Sequence, residues 1–474
     1  MTEQITPPRV HRGYSAPTVQ ELLDTETRPV PDFLRDDSDV DLGTDGVDVQ
    51  RYLSQEFHDL EMEHVWRKVW QMACREEEIP EVGDHILYEI GDDSIIVVRC
   101  APDEIRGFYN VCLHRGRRLR VQDGYVPEFR CPFHAFTWNL DGTLKDVPAR
   151  WDFPQIEDDK FSLPHVKVDT WGGFVFINMD LDAAPLATQL DGIQDHFDGR
   201  PLEERYKVAH VAKLIRANWK VLQEAFIESF HVIGTHPQLL QSNGDENTQY
   251  DVWPDKPHVS RSISPAGVPS PHLGDIADQD VLDNYLVNRR YYAAKAANRD
   301  LAVQEDIEAE DGRSARQTIA NLLRQQLAPV VGDAAAEAST DSELLDAIQY
   351  FVFPNFFPWL QTGSSLVYRF RPYKNDPDMS IAEIIFLSPF PPGTERPAPA
   401  PVHWLDIDDD WTKATELGRL AGVLNQDSGN VPIVQQGLKT LARQRSQTTL
   451  ARYQEVRIRH FHETIDAYIA KGQA

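Results

Sequence analysis

The sequence predicts an α+β protein, a small all-β unit followed by a larger mixed unit that ends in helix. Three observations lead there. Between Asp84 and about Asn178, short β-branched runs (HILYEI, SIIVVRC, GFYNVC, GGFVFINM) are broken by Gly, Pro and Asp, as strands are by turns. Beyond Asp180, KVAHVAKLIRANW, SLVYRFRPY and SIAEIIFLSPF read as strands set among helical stretches. From about Asp408 to the end, helical spacing dominates.

In chain order, residues 1–48 are rich in Pro, Asp and Thr and lack periodicity, which predicts an arm lying on a neighbouring surface. The first domain is expected over 49–180. It opens with a helix, because Phe57, Leu60, Met62, Val65, Trp66, Val69 and Trp70 recur mainly at three and four. The second domain is expected over 181–474. In it KVAHVAKLIRANW enters a helix that should run on through WKVLQEAFIESFHV. Residues 270–345, rich in Ala, Asp and Gln, read as an insertion, and the Pro-rich 390–402 as a loop. No internal repeat is visible.

Composition narrows the function. Charged residues make up 26% of the 474 residues and the formal net charge is −28. Nucleic acid and anionic membranes, which would be repelled, are therefore excluded as partners. No apolar run reaches the roughly 18 residues a membrane helix needs. The opening MTEQITPPRVHRGY lacks the basic-then-apolar pattern of a secretion signal, so the cytoplasm is expected. Four cysteines in so long a chain make no disulfide framework. Cys74 and Cys100 have no histidine nearby and are expected as buried thiols; the other two suggest metal.

Those two stand in Cys112-Leu-His114 and, after sixteen residues, Cys131-Pro-Phe-His134. Two thiolates and two imidazoles can hold tetrahedral zinc, or a [2Fe–2S] cluster with two Cys on one iron and two His on the other. Zinc fingers usually group Cys with Cys. Here each loop offers one of each, which suits the asymmetric cluster. A second motif follows at Asn218-Trp219-Lys220, then Glu224, Phe226, Glu228, Phe230, His231, Gly234, His236 and Pro237. Histidines five apart lie about 140° apart around a regular helix. They share a metal only if the helix breaks between them, which Gly234 and Pro237 favour. Otherwise they are an ordinary histidine pair.

Together these segments resemble the Rieske non-haem iron oxygenases, specifically the large (alpha) subunit of the aromatic-ring-hydroxylating dioxygenases. Asn110-Val-Cys112-Leu-His114-Arg115-Gly116 and Cys131-Pro-Phe-His134 look like the cluster-binding loops, with Ala135 where the family often has Gly. The resemblance covers the chain from about Trp66 onward, 270–345 matching poorly. It implies a Rieske [2Fe–2S] domain, then a catalytic domain whose curved antiparallel sheet grips a long C-terminal helix. It implies that His231 and His236 bind mononuclear Fe(II) with a third, late ligand, best matched by Asp427 in Asn425-Gln426-Asp427. Asp406, Asp408, Asp409, Asp410 and Glu416 compete but read as a solvated acidic stretch. Asn218 is expected near an open coordination position.

Glu228 stands where the family usually has Asp, although members acting on quaternary ammonium compounds carry Glu. By the resemblance it relays electrons, linking a cluster histidine (His134) of one subunit to His231 of the next. That implies a trimeric ring, with or without a small β-subunit. The activity implied is that of a terminal oxygenase. O₂ is the co-substrate, and electrons come from NAD(P)H through a reductase, with or without a ferredoxin. Phe226, Phe230 and the run Phe351–Trp359 favour an aromatic or other apolar ring compound and cis-dihydroxylation. Glu228 favours monooxygenation or demethylation of a quaternary amine. Two other classes compete: a Rieske electron carrier, which leaves the second half of the chain idle, and a non-catalytic ligand-binding protein.

Overall fold

The β-branched runs of the first half do pair, but into a longer sheet than the sequence suggests. The computed structural model describes residues 16–292, 307–309, 312–418 and 420–473. Residues 1–15 of the arm, and 293–306 and 310–311 of the 270–345 stretch, lie outside the described residues. Seven strands form the first sheet, in the order Gln71–Arg75, Phe174–Asn178, His165–Trp171, Glu104–Tyr109, Asp93–Ala101, Asp84–Ile90 and Gly124–Tyr125. Gln71–Arg75 was not anticipated as a strand, because it follows directly on a helical pattern. The helix Gln55–Glu61 passes into a π-helical turn, Met62–Trp66, and the chain then extends. A three-stranded sheet (Phe129–Arg130, Thr137–Trp138, Leu144–Asp146) carries the second Cys–His loop.

The two Cys–His loops share one backbone design. Cys112 N–H donates to Arg117 O, and Gly116 N–H to Cys112 O; Cys131 N–H donates to Phe136 O, and Ala135 N–H to Cys131 O. The fifth residue of each loop is left-handed, Gly116 at φ +74° and Ala135 at φ +62°. Glycine adopts that conformation freely, whereas a Cβ there is strained.

The second sheet has eight strands. They run Gln249–Val252, Val259–Ser264, Ala347–Val352, Phe357–Leu360, Ser365–Tyr373, Asp376–Ser388, Tyr206–Ile215 and His403–Leu405. All pairs are antiparallel except the last. Val259–Ser264 and Ala347–Val352 are neighbours, so the helical stretch between them is a long excursion out of one hairpin. Its helices Asp278–Tyr292, Ala315–Val331 and Asp341–Leu345 bury Val281, Leu282, Ile319, Leu323 and Leu345 in a small core of their own. Residues 16–48 lie on this chain's own surface, in part on the second sheet. Buried Arg261 donates to Phe33 O (2.5 Å) and Asp36 O (2.7 Å), and Gln20 to Gln249 Oε1 (3.0 Å).

The helical tail is two helices, Leu420–Leu441 and Val456–Gln473, parted by an irregular stretch. The second packs Phe461 against Trp219, Phe351 and Phe353, and buries Arg457 against Ser260, Ser262 and Gln349. No described helix is long and apolar enough to cross a membrane.

A buried ionic clamp joins the two sheets. Glu383, 1% exposed, receives Arg369 (2.5 Å), Arg371 (3.3 Å) and His210 (3.2 Å). The arginines reach on to the first sheet, Arg369 to Ala73 O and Arg371 to Glu89 O. Burial alone would raise the Glu383 carboxyl; Arg369 and Arg371 outweigh it and hold it well below the usual carboxylate range. Glu383→Ala, which strands two buried cations, should cost about 3–5 kcal/mol by chemical denaturation. Ala135→Gly relieves a strained residue and should stabilise the protein by about 1 kcal/mol or less, read as a higher melting temperature.

Candidate metal centres

Cys112 and Cys131 sit 1% exposed in the apolar cluster of Phe108, Phe129, Phe136 and Trp138. Burial raises the Cys112 thiol, and neighbouring Cys131 adds to this against the pull of backbone N–H groups. The His114 and His134 rings lie 4.6 Å apart, and Phe136 stacks on His114 at 4.6 Å. Both imidazoles bury Nδ1 with no hydrogen-bond partner among the described residues. Two orphaned ring nitrogens beside two buried thiols are costly without a ligand and fit a cluster bound by Cys₂ and His₂.

The second centre forms because the predicted continuous helix does not exist. It starts at Trp219 with Asn218 as N-cap and stops at Glu224, after six residues. Turns follow, then a single helical turn, Val232–Thr235. His236 leaves helical geometry at φ −126°, ψ 51°, and Pro237 begins a 3₁₀ turn. The break falls at His236 itself, not at Gly234. This lets His231 Nε2, His236 Nε2 and a carboxylate oxygen of Asp427 come within 4.8 Å of one another. Asp427, 5% exposed, comes from the helix Leu420–Leu441, with its Oδ1 2.8 Å from His236 Nε2 and 3.7 Å from His231 Nε2.

Each histidine is braced from behind. His231 Nδ1–H donates to Glu228 Oε1 (2.7 Å), whose Oε2 accepts the His231 backbone N–H (2.9 Å). His236 Nδ1–H donates to Gln426 Oε1 (2.8 Å), which Gln238 also holds (2.8 Å). Protons fixed on both Nδ1 atoms leave both Nε2 lone pairs for a metal. Burial would lower His231, but the charge and hydrogen bond of Glu228, with Asp427 behind, outweigh it and raise it. The donor set of two imidazoles and one carboxylate, open on its remaining sides, suits non-haem Fe(II).

Glu228 therefore contacts His231 through a capping turn, not across a helix face. Asn218 is 1% exposed; its Oδ1 accepts Lys220 N–H (3.0 Å) and its Nδ2 donates to Pro377 O (2.9 Å). Among the competing carboxylates, Asp408 pairs with Arg216, Asp409 with Lys413 and Glu416 with His403, at the surface. Phe351, Phe353, Phe356 and Phe357 are all at most 2% exposed and pack as core residues do: Phe351 on Phe353, Phe357 and Phe461, and Phe356 on Phe174 and Phe176. Sequence reasoning missed the role of Gln426; its place beside Asp427 was the one available signal. It also missed the contact of Glu224 with Tyr52 and His462, which no local pattern announces.

Residues 69–157 match the family described as Rieske [2Fe-2S] domain, and residues 199–471 match the family described as Ring hydroxylating alpha subunit (catalytic domain). The glycine betaine monooxygenase oxygenase subunit of Pseudomonas aeruginosa is 30% identical over 196 residues, 40% of this chain and 44% of that protein. The biphenyl 2,3-dioxygenase subunit alpha of Rhodococcus jostii is 31% identical over 206 residues, 42% and 45%. The matched stretch thus spans less than half the length of these relatives. A crystal structure of the quaternary ammonium Rieske monooxygenase CntA with L-carnitine has the same fold. Its TM-score is 0.62 at 18% identity, over 90% of this chain and 96% of that one. With more than half of its residues matched by the catalytic-domain family and the Rieske domain ahead of it, the chain belongs to the ring-hydroxylating alpha subunits.

Proposed function

We propose that this chain is the terminal oxygenase of a multicomponent Rieske system, oxidising a small organic substrate with O₂. The observation that carries the reading is the trio His231, His236 and Asp427, with each imidazole braced at Nδ1 so that Nε2 faces a common point. Cys112, His114, Cys131 and His134 would hold the cluster, and His231, His236 and Asp427 the iron. When bound, the cluster supplies single electrons and the iron supplies O₂ activation. The chain's own residues do the rest. Glu228 and Gln426 set ring orientation and tautomer.

Electrons would come from NAD(P)H through a reductase, with or without a ferredoxin, in the cytoplasm, where Cys112 and Cys131 stay reduced. A head-to-tail homotrimer, with or without a small β-subunit, is the assembly we propose. Apolar side chains are exposed at both ends of such a contact: Phe133 (55%) and Trp151 (83%) near the Cys–His loops, Phe230 (42%) and Ile433 (60%) on the segments carrying the iron ligands. Exposed apolar surface of this kind marks association. Glu228, already on His231, would complete the link to His134 of the neighbouring subunit.

For the substrate, similarity to a biphenyl dioxygenase supports hydroxylation, with cis-dihydroxylation as the reference, of an aromatic or other apolar ring compound. A second reading, monooxygenation or demethylation of a quaternary ammonium compound, is supported by Glu228 and by similarity to a glycine betaine monooxygenase. Oxygen uptake by the protein with a reductase and NADH, with glycine betaine and biphenyl compared, tests the activity and separates the two. His231→Ala should lose the mononuclear iron while keeping the cluster's visible colour. Glu228→Gln should keep both metals yet slow single-turnover oxidation by about tenfold or more; an unchanged rate removes Glu228 from the electron path.

A further inference from the structure

The two histidines of the mononuclear centre are braced unequally. Glu228, which holds His231, is a carboxylate three residues earlier in the same turn. Gln426, which accepts from His236 Nδ1 (2.8 Å), is a neutral amide on a distant element, the helix Leu420–Leu441. A neutral acceptor holds an N–H roughly half as strongly as a charged one. An amide also has two unlike ends, and only its oxygen can accept the His236 Nδ1 proton. The orientation of His236 therefore depends on what fixes the Gln426 side chain.

Gln238 supplies that restraint. Its Nε2 donates to the same Gln426 Oε1 (2.8 Å), and Gln426 Nε2 returns a longer contact to Gln238 Oε1 (3.4 Å). Two donors thus converge on one oxygen, a place the NH₂ end of Gln426 cannot take. Gln238 stands two residues after His236, in the 3₁₀ turn Pro237–Leu239. Its carbonyl accepts Asn284 Nδ2–H (3.2 Å), and Asn284 Oδ1 accepts the hydroxyl of buried Ser242 (2.7 Å). Two backbone bonds tighten the grip: Gly267 N–H donates to Ser242 O (2.8 Å) and Ser270 N–H to Leu240 O (2.7 Å).

Asn284 belongs to the helix Asp278–Tyr292, within the excursion between the strands Val259–Ser264 and Ala347–Val352. Val281, Leu282 and Leu286 of that helix share with Ile319 and Leu323 the small core that the excursion keeps to itself. We propose that the excursion is a positioning element of the mononuclear centre. Through Asn284, Gln238 and Gln426 it holds His236 with its Nδ1 proton outward and its Nε2 on the side of Asp427. Asn284 and Gln238 act through Gln426 and are positioning residues, not ligands. The inference rests on the oxygenase reading above, and it gives the excursion a task in that chemistry.

Iron retention, read without turnover, is the direct test. Holoprotein is challenged with excess ferrous chelator, and release of the mononuclear iron is timed, with cluster colour and melting temperature reporting the fold. Gln426→Met, which removes the acceptor, and Gln238→Ala should each release iron about 10- to 100-fold faster, and Asn284→Ala about tenfold faster. Near-isosteric Asn284→Asp keeps the acceptor for Ser242 but loses the donor to Gln238, and should match Asn284→Ala. Gln426→Glu keeps an acceptor for His236 and should retain iron at least as well as wild type. The double variant Gln238→Ala/Asn284→Ala should lose little more than Gln238→Ala alone, because both act along one path. The EPR spectrum of the ferrous nitric-oxide adduct should change in rhombicity in both Asn284 variants, a shift that a purely structural role would not produce. Iron release and spectrum unchanged in both Asn284 variants, or fully additive losses in the double variant, overturn the proposal and leave the oxygenase reading intact. A wild type that holds no iron at His231, His236 and Asp427 removes both.

Discussion

Two histidines five residues apart must present the same ring nitrogen to one point, and the second half of the molecule is organised around that constraint. A regular helix would set them about 140° apart. The chain solves this by ending one helix at Glu224, turning, and letting His236 leave helical geometry before Pro237. A break of this kind frees backbone groups, and the segment takes them up locally. Glu228 accepts the His231 N–H, and the Tyr250 hydroxyl oxygen accepts that of Ser229 (2.8 Å). The bracing carboxylate and amide, Glu228 and Gln426, convert a loose turn into a fixed pair of donors.

That pair is only as rigid as what lies behind it. The iron-bearing segment follows the strand Tyr206–Ile215, which pairs with Asp376–Ser388, and Glu383 on the latter centres the clamp to the first sheet. The helix Leu420–Leu441 brings Asp427 to the site, and the helix Val456–Gln473 is tied to Glu224 through His462. Two separate parts of the chain therefore converge on one centre, and a third supports the helix that leads to it. Glu224, held by Tyr52 and His462, belongs to this support.

The Cys–His loops and the His–His–Asp set were legible in the sequence because both are spacing patterns that chemistry restricts tightly. The strands were legible from β-branched runs, save Gln71–Arg75, which a preceding helical period disguised. What escaped was tertiary. The helix through WKVLQEAFIESFHV has good local periodicity, yet it stops where side-chain capping and metal geometry override propensity. Asn218 caps the helix that begins at Trp219 and also holds Pro377 O, contacts that its motif alone does not announce. Glu224, Tyr52 and His462 are separated by up to 410 residues, and no local pattern brings them together.

The central claim is that one chain carries two metal centres with separate ligand sets. Iron and acid-labile sulfide per chain, measured with an EPR spectrum of the dithionite-reduced protein, test it most directly. The account predicts about three irons and two sulfides, the cluster plus one mononuclear site, with a Rieske-type signal. Zinc without sulfide, in a folded protein, would contradict it.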